Sequence, residues 1–289
     1  MCSDSVSIAS LDGTGLHVHD FGGTGSPLVW AHATGFHAHC YQPLAERLAQ
    51  SFHSFAFDHR GHGSADSINP DNLNWQHYGN DAIAATAYIY ENNNGTPLIG
   101  FGHSMGGATL LMAARHQPHM FRALFIFEPI VFPPSAVSSD FTRRNENPLA
   151  AGARKRRSRF DSYSAALENF SSKPPLNTFD AKVREQYVNY GFHDVIGEDV
   201  VELNCAPEQE ARTYETGGVA PAWDELPLID LPVWVISGRK LPQQPSSFAP
   251  VIAEQLGNAT FVQWDDMGHF GPFEAPDAVC GFVARTMNT

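Results

Sequence analysis

The chain has 289 residues, of which 43% are hydrophobic and 17% are charged. This length and composition provide for a large buried core and argue against a disordered chain. The formal net charge is −13 at pH 7. Such an acidic protein is repelled by nucleic acids and by anionic membrane surfaces, so we expect neither as a partner.

Cysteine usage and the N-terminal residues bear on the cellular compartment. Four cysteines are scattered along the chain, without a Cys-x-x-C pair or a histidine at metal-ligand spacing: Cys2, Cys40, Cys205 and Cys280. We therefore expect reduced thiols rather than disulfides or a zinc site. The N-terminus lacks a basic segment and an apolar signal core, and no apolar run approaches the roughly 20 residues of a membrane span. We expect a soluble, cytoplasmic protein.

The first part of the chain alternates between predicted strands and helices. Val6 to Asp20 predicts a hairpin with a glycine turn, and Leu28 to Ala31 predicts a buried strand. A helix is predicted from Tyr41 to Gln50, followed by a strand from Phe52 to Phe57. The apolar pattern from Asn72 to Asn92 predicts a further helix.

The loop after the Leu28 strand begins with His32-Ala33-Thr34-Gly35-Phe36, continues to His39 and is rich in histidine. Its histidines, His32, His37 and His39, raise the question of a metal site. No carboxylate partners or further ligand motif accompany them, so we expect no metal here. We expect these side chains to line the mouth of a site or to lie on a surface loop.

The strand that ends at Phe57 leads into Asp58-His59-Arg60-Gly61-His62-Gly63-Ser64. The glycines of this segment permit a tight return of the chain. Asp58 and Arg60 are close enough in sequence to pair beside the preceding loop. We therefore interpret the segment as structural.

Residues 97–107 combine a buried strand, a tight turn and the start of a helix, with Ser104 at the tip. Small residues must flank a serine on such a strained turn, and Gly102 and Gly106 do so. The first amides of the helix, above all that of Met105, are expected to point at a developing oxyanion. A serine N-cap on an ordinary glycine-rich turn is the simpler alternative.

The remaining predicted strands lie on both sides of a segment without strand-like patterns. Arg122 to Phe127 predicts a buried strand that ends at Glu128. Val233 to Ile236 predicts another buried strand, Thr260 to Trp264 predicts a last strand, and a last helix is expected from Pro276 to Met287. Strands that alternate with helices predict a parallel sheet covered on both faces.

Residues 133–222 show no strand-like run and contain polar helical patterns and turns. Basic residues concentrate there: Arg143, Arg144, Arg154, Lys155, Arg156, Arg157 and Arg159. We expect them to form a solvated helix face that pairs with carboxylates such as Asp161 and Glu168. A nuclear-targeting or acidic-substrate role of the Arg154–Arg159 cluster is the alternative.

Gly102-His103-Ser104-Met105-Gly106 and the D-x-R-G-x-G-x-S segment at Asp58 together resemble the α/β-hydrolase superfamily. The resemblance implies a mostly parallel central sheet flanked by helices, with a core of residues 1–132 and 223–289 and a helical cap at 133–222. It implies that Ser104 is the nucleophile and His269 the base. The oxyanion would be held by the backbone amides of Met105 and Thr34, although Ala33 stands where the family commonly has glycine.

The acid that orients His269 departs from the common family pattern. No Asp or Glu occurs from Arg239 to Ile252, where most members carry it. Glu128, at the end of the strand after the elbow helix, is then the predicted acid, as in haloalkane dehalogenases. Asp265 or Asp266 is the alternative, and a cap-hinge pairing with an arginine is the structural interpretation of Glu128.

A serine nucleophile argues against epoxide hydrolase and dehalogenase chemistry, which need a carboxylate. We expect a serine hydrolase that cleaves a carboxylic ester, lactone or thioester of a small, largely apolar substrate, without cofactor or metal. The apolar pocket is inferred from aromatic residues of the cap: Phe160, Tyr163, Phe170, Phe179, Tyr187, Tyr190 and Phe192. Carbon–carbon bond hydrolysis, cofactor-free haloperoxidase activity and a hydrolase-fold receptor stay open, as do the substrate and the oligomeric state.

Overall fold

A computed structural model describes residues 4–136, 147–217 and 222–288. Its strands are β1 (Asp4–Ala9), β2 (Gly15–Gly23), β3 (Ser26–Ala31), β4 (Phe52–Asp58), β5 (Leu98–His103), β6 (Phe121–Phe127), β7 (Arg159–Phe160), β8 (Phe192–Asp194), β9 (Val201–Leu203), β10 (Val233–Ser237) and β11 (Ala259–Gln263). Eight of them form one sheet in the order β1-β2-β4-β3-β5-β6-β10-β11. The pairs β1–β2 and β2–β4 are antiparallel, and all other neighbours are parallel.

Helices cover both faces of this sheet. The helices of the described residues are α1 (Gln42–Leu48), α2 (Trp75–Asn92), α3 (Met105–His116), α4 (Pro148–Arg154), α5 (Tyr163–Ser171), α6 (Ala181–Gly191), α7 (Pro207–Thr216), α8 (Pro245–Gln255), α9 (Gly271–Glu274) and α10 (Pro276–Met287), of which α4 to α7 belong to the 133–222 segment. Apolar residues of α2, α3 and α8 pack on one face, and those of α1 and α10 pack on the other. The predicted α/β-hydrolase fold class is confirmed.

The central strands β3, β4, β5, β6 and β10 are buried almost throughout, whereas the edge strands β1 and β11 are largely exposed. In β3, Val29 and Ala31 face the cluster under α2 and α3, whereas Leu28 and Trp30 face the cluster under α1 and α10. This alternation follows from the two-residue period of a strand. Among the described residues, no helix combines the length and the apolar character needed to cross a bilayer.

The predicted helix from Asn72 begins at Trp75 instead. The side chain of Asn74 accepts hydrogen bonds from the backbone N–H groups of Gln76 and His77, which otherwise lack partners at a helix start. Asn74 is therefore the N-cap, and the residues before it lie outside the helix.

The described part of the 133–222 segment is not wholly helical. Besides α4 to α7 it contains the three short strands β7, β8 and β9, which form an antiparallel sheet in the order β7-β9-β8. The expectation that this segment has no strands is therefore wrong. Strands of two or three residues are too short to produce the alternating pattern on which the prediction depended.

The prediction that the basic cluster pairs with Asp161 and Glu168 is also wrong. Arg154 bonds Glu208 and Glu215, and Arg156 bonds Glu210 and the Tyr187 hydroxyl. The acceptors thus come from α6 and α7 rather than from Asp161 and Glu168. Arg159 pairs with Glu198 at 2.9 Å. Arg143 and Arg144 lie outside the described residues.

Candidate active site

Ser104 lies on a strained turn between β5 and α3. Its backbone has φ 55° and ψ −114°, a conformation that costs a non-glycine residue about 1–3 kcal/mol and persists only where the surroundings enforce it. The Ser104 N–H donates to Phe127 O at 2.9 Å, and its carbonyl accepts from the N–H groups of Ala108 and Ile130. The turn is therefore held by the neighbouring strand and by its own helix.

The glycines beside Ser104 are required by close packing. A Cβ on Gly106 would lie 2.1 Å from the carbonyl oxygen of Ala31, the last residue of β3. A Cβ on Gly102 would lie 2.6 Å from Gly107 Cα. No side chain fits at either position, so the strand and the helix meet at the distance that the elbow requires.

Glu128 and His269 meet although 141 positions separate them in the chain. The Nδ1–H of His269 donates to Glu128 Oε2 at 2.6 Å, and the Gly238 N–H donates to Glu128 Oε1 at 2.8 Å. Glu128 is 1% exposed. Since a carboxylate only accepts, this contact places the proton of a neutral His269 on Nδ1 and leaves Nε2 as the basic nitrogen. The distance lies in the range expected for an acid–base pair, and the catalytic role of the pair stays a prediction.

The two alternative acids lie apart from His269. Asp265 and Asp266 are exposed. The Asp265 carboxylate accepts from the Gln263 amide, and its backbone oxygen accepts from Arg239. The structure thus brings Glu128 to His269 rather than either aspartate.

The two predicted oxyanion donors follow two neighbouring strands of the sheet, β3 and β5. Met105 is the first residue of α3, so its N–H has no acceptor in its own helix. Thr34 follows β3 and is 6% exposed. Its N–H donates to no residue in the described part of the chain. Both amides are therefore available to a bound oxyanion.

The histidines after β3 are buried and do not lie on a surface loop. His32, His37 and His39 are at most 4% exposed. Burial lowers the pKa of all three, to about 3 for His32 and about 4 for His39. No three His, Cys, Asp or Glu side chains among residues 4–136, 147–217 and 222–288 are arranged to hold a metal ion.

Asp58 and Arg60 do not pair with each other. Asp58 accepts from the N–H groups of Ala38 and Ser64 and contacts His19 Nε2 at 2.9 Å. Arg60 instead forms a buried pair with Asp81, its Nη2 2.6 Å from Oδ1. Asp58 thus fastens the loop after β3, a role that the local spacing alone did not indicate.

Sequence reasoning also missed contacts around His269. His103, beside the nucleophile, donates from Nε2 to the carbonyl oxygen of His269 at 2.8 Å. The ring of Phe270 lies 5.7 Å from that of Phe36 and 5.4 Å from that of Phe179. The position of His103 inside the elbow motif was the only sequence signal for these contacts.

Comparison with known proteins agrees with this architecture. The family model of the serine aminopeptidase S33 hydrolases matches residues 26–189. Human monoglyceride lipase is 28% identical over 132 residues, which are 44% of this chain and 44% of the lipase. A Mycobacterium tuberculosis protein that carries the name of a non-heme bromoperoxidase, BpoC, is 26% identical over 90% of this chain and 93% of its own length.

Solved structures share the whole fold. The peroxisomal α/β-hydrolase Lpx1 of Saccharomyces cerevisiae superposes with a TM-score of 0.80 at 17% identity, covering 99% of this chain and 88% of its own. The chain spans less than half the length of the monoglyceride lipases that it matches. The family model, however, covers more than half of this chain. The chain therefore belongs to the serine aminopeptidase S33 family and is an α/β-hydrolase.

Proposed function

We propose that this hydrolase cleaves carboxylic esters, including lactones and thioesters, of small and largely apolar substrates through an acyl-enzyme. The observation that carries the proposal is the 2.6 Å contact of Glu128 with His269 Nδ1. Glu128 directly follows Phe127, whose carbonyl oxygen accepts from the N–H of Ser104 on its strained turn at φ 55°. A serine nucleophile needs a base to take its proton, and the base needs an acid to orient it.

In the proposed reaction, Ser104 Oγ attacks the substrate carbonyl while His269 Nε2 accepts its proton. The amides of Met105 and Thr34 stabilise the oxyanion, and removing one such donor costs about 3 kcal/mol of barrier. His269 then protonates the leaving alcohol and activates a water molecule that hydrolyses the acyl-enzyme. Glu128 stabilises the imidazolium formed in both steps.

The names of the relatives and the aromatic contacts support an apolar ester. Monoglyceride lipase, by its name, acts on an ester of glycerol. Phe36, Phe179 and Phe270 pack on one another next to His269, with ring centroids 5.4–6.0 Å apart. Phe160, Phe170 and Phe192 instead pack together and form the core of the segment itself.

We also propose that residues 133–222 form a cap over the site, inserted into a core of residues 1–132 and 223–289. Phe179 lies in this segment and contacts Phe270, which follows His269. The backbone N–H of Asp180 donates to Phe273 O at 2.8 Å, and Asp180 Oδ2 accepts from Arg47 of α1 at 3.0 Å. The start of α6 is thus fastened to the core beside the His269 loop.

A fluorophosphonate probe and a panel of esters, lactones and thioesters test the proposal. The probe should add once, at the peptide around Ser104, and the panel should show turnover. Ser104→Ala should abolish both, whereas Ser172→Ala, which changes an exposed serine of the cap segment, should keep both. Labelling or turnover that survives Ser104→Ala unchanged would refute the assignment.

Cofactor-free haloperoxidase activity is the second candidate, because the similarity to BpoC spans 90% of this chain. In that reaction hydrogen peroxide would take the place of water at the acyl-enzyme and release a peracid, which oxidises bromide. Bromination that requires a carboxylic acid, peroxide and Ser104 would support it. Ester turnover without such bromination would rule out the haloperoxidase candidate and support the esterase proposal.

A further inference from the structure

A line of buried polar contacts connects α3 to the loop after β3. His32 Nδ1 lies 2.9 Å from the carbonyl oxygen of Ala33, and His32 Nε2 lies 3.0 Å from the backbone nitrogen of His59. His59 Nδ1 lies 3.2 Å from the same His32 Nε2, and His59 Nε2 lies 3.0 Å from the hydroxyl of Thr109. His32, His59 and Thr109 are fully buried.

These contacts determine the tautomer of His32. A carbonyl oxygen can only accept, so Nδ1 carries the proton that is donated to Ala33. A backbone N–H can only donate, so Nε2 is the unprotonated nitrogen that accepts from His59. Burial, together with the nearby His62, lowers the pKa of His32 to about 3. The imidazole therefore stays neutral, with one nitrogen committed to each neighbour.

The carbonyl that His32 holds belongs to the same peptide unit as the Thr34 N–H. A trans peptide is planar, and its carbonyl and its N–H point in opposite directions. A hydrogen bond that fixes the Ala33 carbonyl on one side therefore fixes the direction of the Thr34 N–H on the other. Alanine at position 33 has no side-chain donor or acceptor that could do this instead.

We infer that His32 is a positioning residue of the oxyanion hole, and that His59 holds it in the tautomer this role requires. The Nδ1–H of His32 locks the Ala33–Thr34 peptide so that the Thr34 amide faces the oxyanion. Neither histidine touches the substrate. The inference rests on the proposed function, in which the Thr34 amide stabilises the oxyanion formed at Ser104.

Three substitutions of His32 separate positioning from packing. In His32→Asn the amide nitrogen lies near the place of Nδ1 and keeps the bond to Ala33. In His32→Gln the amide reaches the place of Nε2 instead, and His32→Leu removes both contacts. Since losing one oxyanion donor lowers kcat by about 10²–10³-fold, His32→Leu should lower kcat for a p-nitrophenyl ester by about 100-fold with KM little changed. His32→Asn should stay within about 10-fold of the unmodified protein and above His32→Gln.

The affinity for a trifluoromethyl ketone is a second measurement, and loss of packing alone would not change it. It adds to the serine and forms a tetrahedral oxyanion, so its affinity should fall by the same factor as kcat/KM. His39→Gln is the matched control: His39 is a buried histidine of the same loop that stacks on Tyr190 at 3.6 Å and takes no part in these contacts. It should keep both kcat and ketone affinity.

Two results would overturn the inference while leaving the proposed function intact. One is unchanged ketone affinity in His32→Leu, and the other is a kcat for His32→Gln equal to that of His32→Asn. If His32→Leu does not fold, the comparison of kcat between His32→Gln and His32→Asn decides the question by itself. An unmodified protein that neither hydrolyses esters nor binds the ketone would instead reject the proposed function, and this inference with it.

Discussion

Replacing Glu128 with glutamine removes the negative charge beside His269 and also reverses the hydrogen bond between them. The Gly238 N–H, 2.8 Å from Oε1, requires an oxygen at that position. The amide NH2 of the new glutamine must then face His269 Nδ1, where Oε2 accepts at 2.6 Å. Because an NH2 group only donates, His269 would turn to the tautomer with its proton on Nε2. That nitrogen is the one proposed to accept the proton of Ser104.

We expect Glu128→Gln to lower kcat for a p-nitrophenyl ester by about 10³–10⁴-fold. Removing the charge of a triad aspartate in another serine hydrolase costs about 10⁴-fold for the same reason, the wrong tautomer. At about 1.36 kcal/mol for each tenfold change, this corresponds to roughly 4–5.5 kcal/mol of transition-state stabilisation. KM should change little, since Glu128 is buried and acts through His269.

The matched controls are Asp265→Asn and Asp266→Asn, which remove a charge from exposed carboxylates next to the same loop. Both should retain near-normal kcat, and all three variants should melt within a few degrees of the unmodified protein. A Glu128→Gln variant with near-normal turnover, alongside an inactive Asp265→Asn or Asp266→Asn, would refute the assignment of the acid.

Two further predictions concern stability. Gly106→Ala should abolish or severely weaken folding, because its Cβ would lie 2.1 Å from a carbonyl oxygen of β3, whereas Gly257→Ala, with no atom within 4 Å, should melt like the unmodified protein. A cooperatively folded Gly106→Ala variant of normal melting temperature would contradict this. Burial lowers the pKa of His32 to about 3 and that of His39 to about 4, against 6.5 for free histidine. The unfolded chain therefore binds more protons below pH 6.5, and each group should remove up to about 1.4 kcal/mol of stability per pH unit as the pH falls towards 4. Equal melting temperatures at pH 7 and pH 5 would contradict the second prediction.

Much of the candidate site could be predicted from short stretches of sequence. The elbow at Ser104 was predictable because a tight strand-to-helix turn requires glycines within two positions on either side, and the close contacts of Gly102 and Gly106 show that need. The contact between Glu128 and His269 was predictable because the loop after β10 contains no carboxylate. Both inferences depend on local geometry and on chain order, which a sequence displays directly.

Tertiary structure alone decided which distant residues meet. The sequence showed a cluster of basic residues, but the glutamate bonded to Arg156 lies 54 positions away on α7. It showed a histidine-rich loop, but not that His32 is buried and bonded to His59, 27 positions away. It did not reveal β7 to β9, since strands of two or three residues are too short to show the two-residue alternation of apolar and polar side chains. By itself, the sequence determined the fold class and the elbow, because strand and helix periodicity and glycine requirements act over a few neighbouring residues. The partners of buried charges depend on how whole elements pack, and packing brings together residues that no local pattern relates.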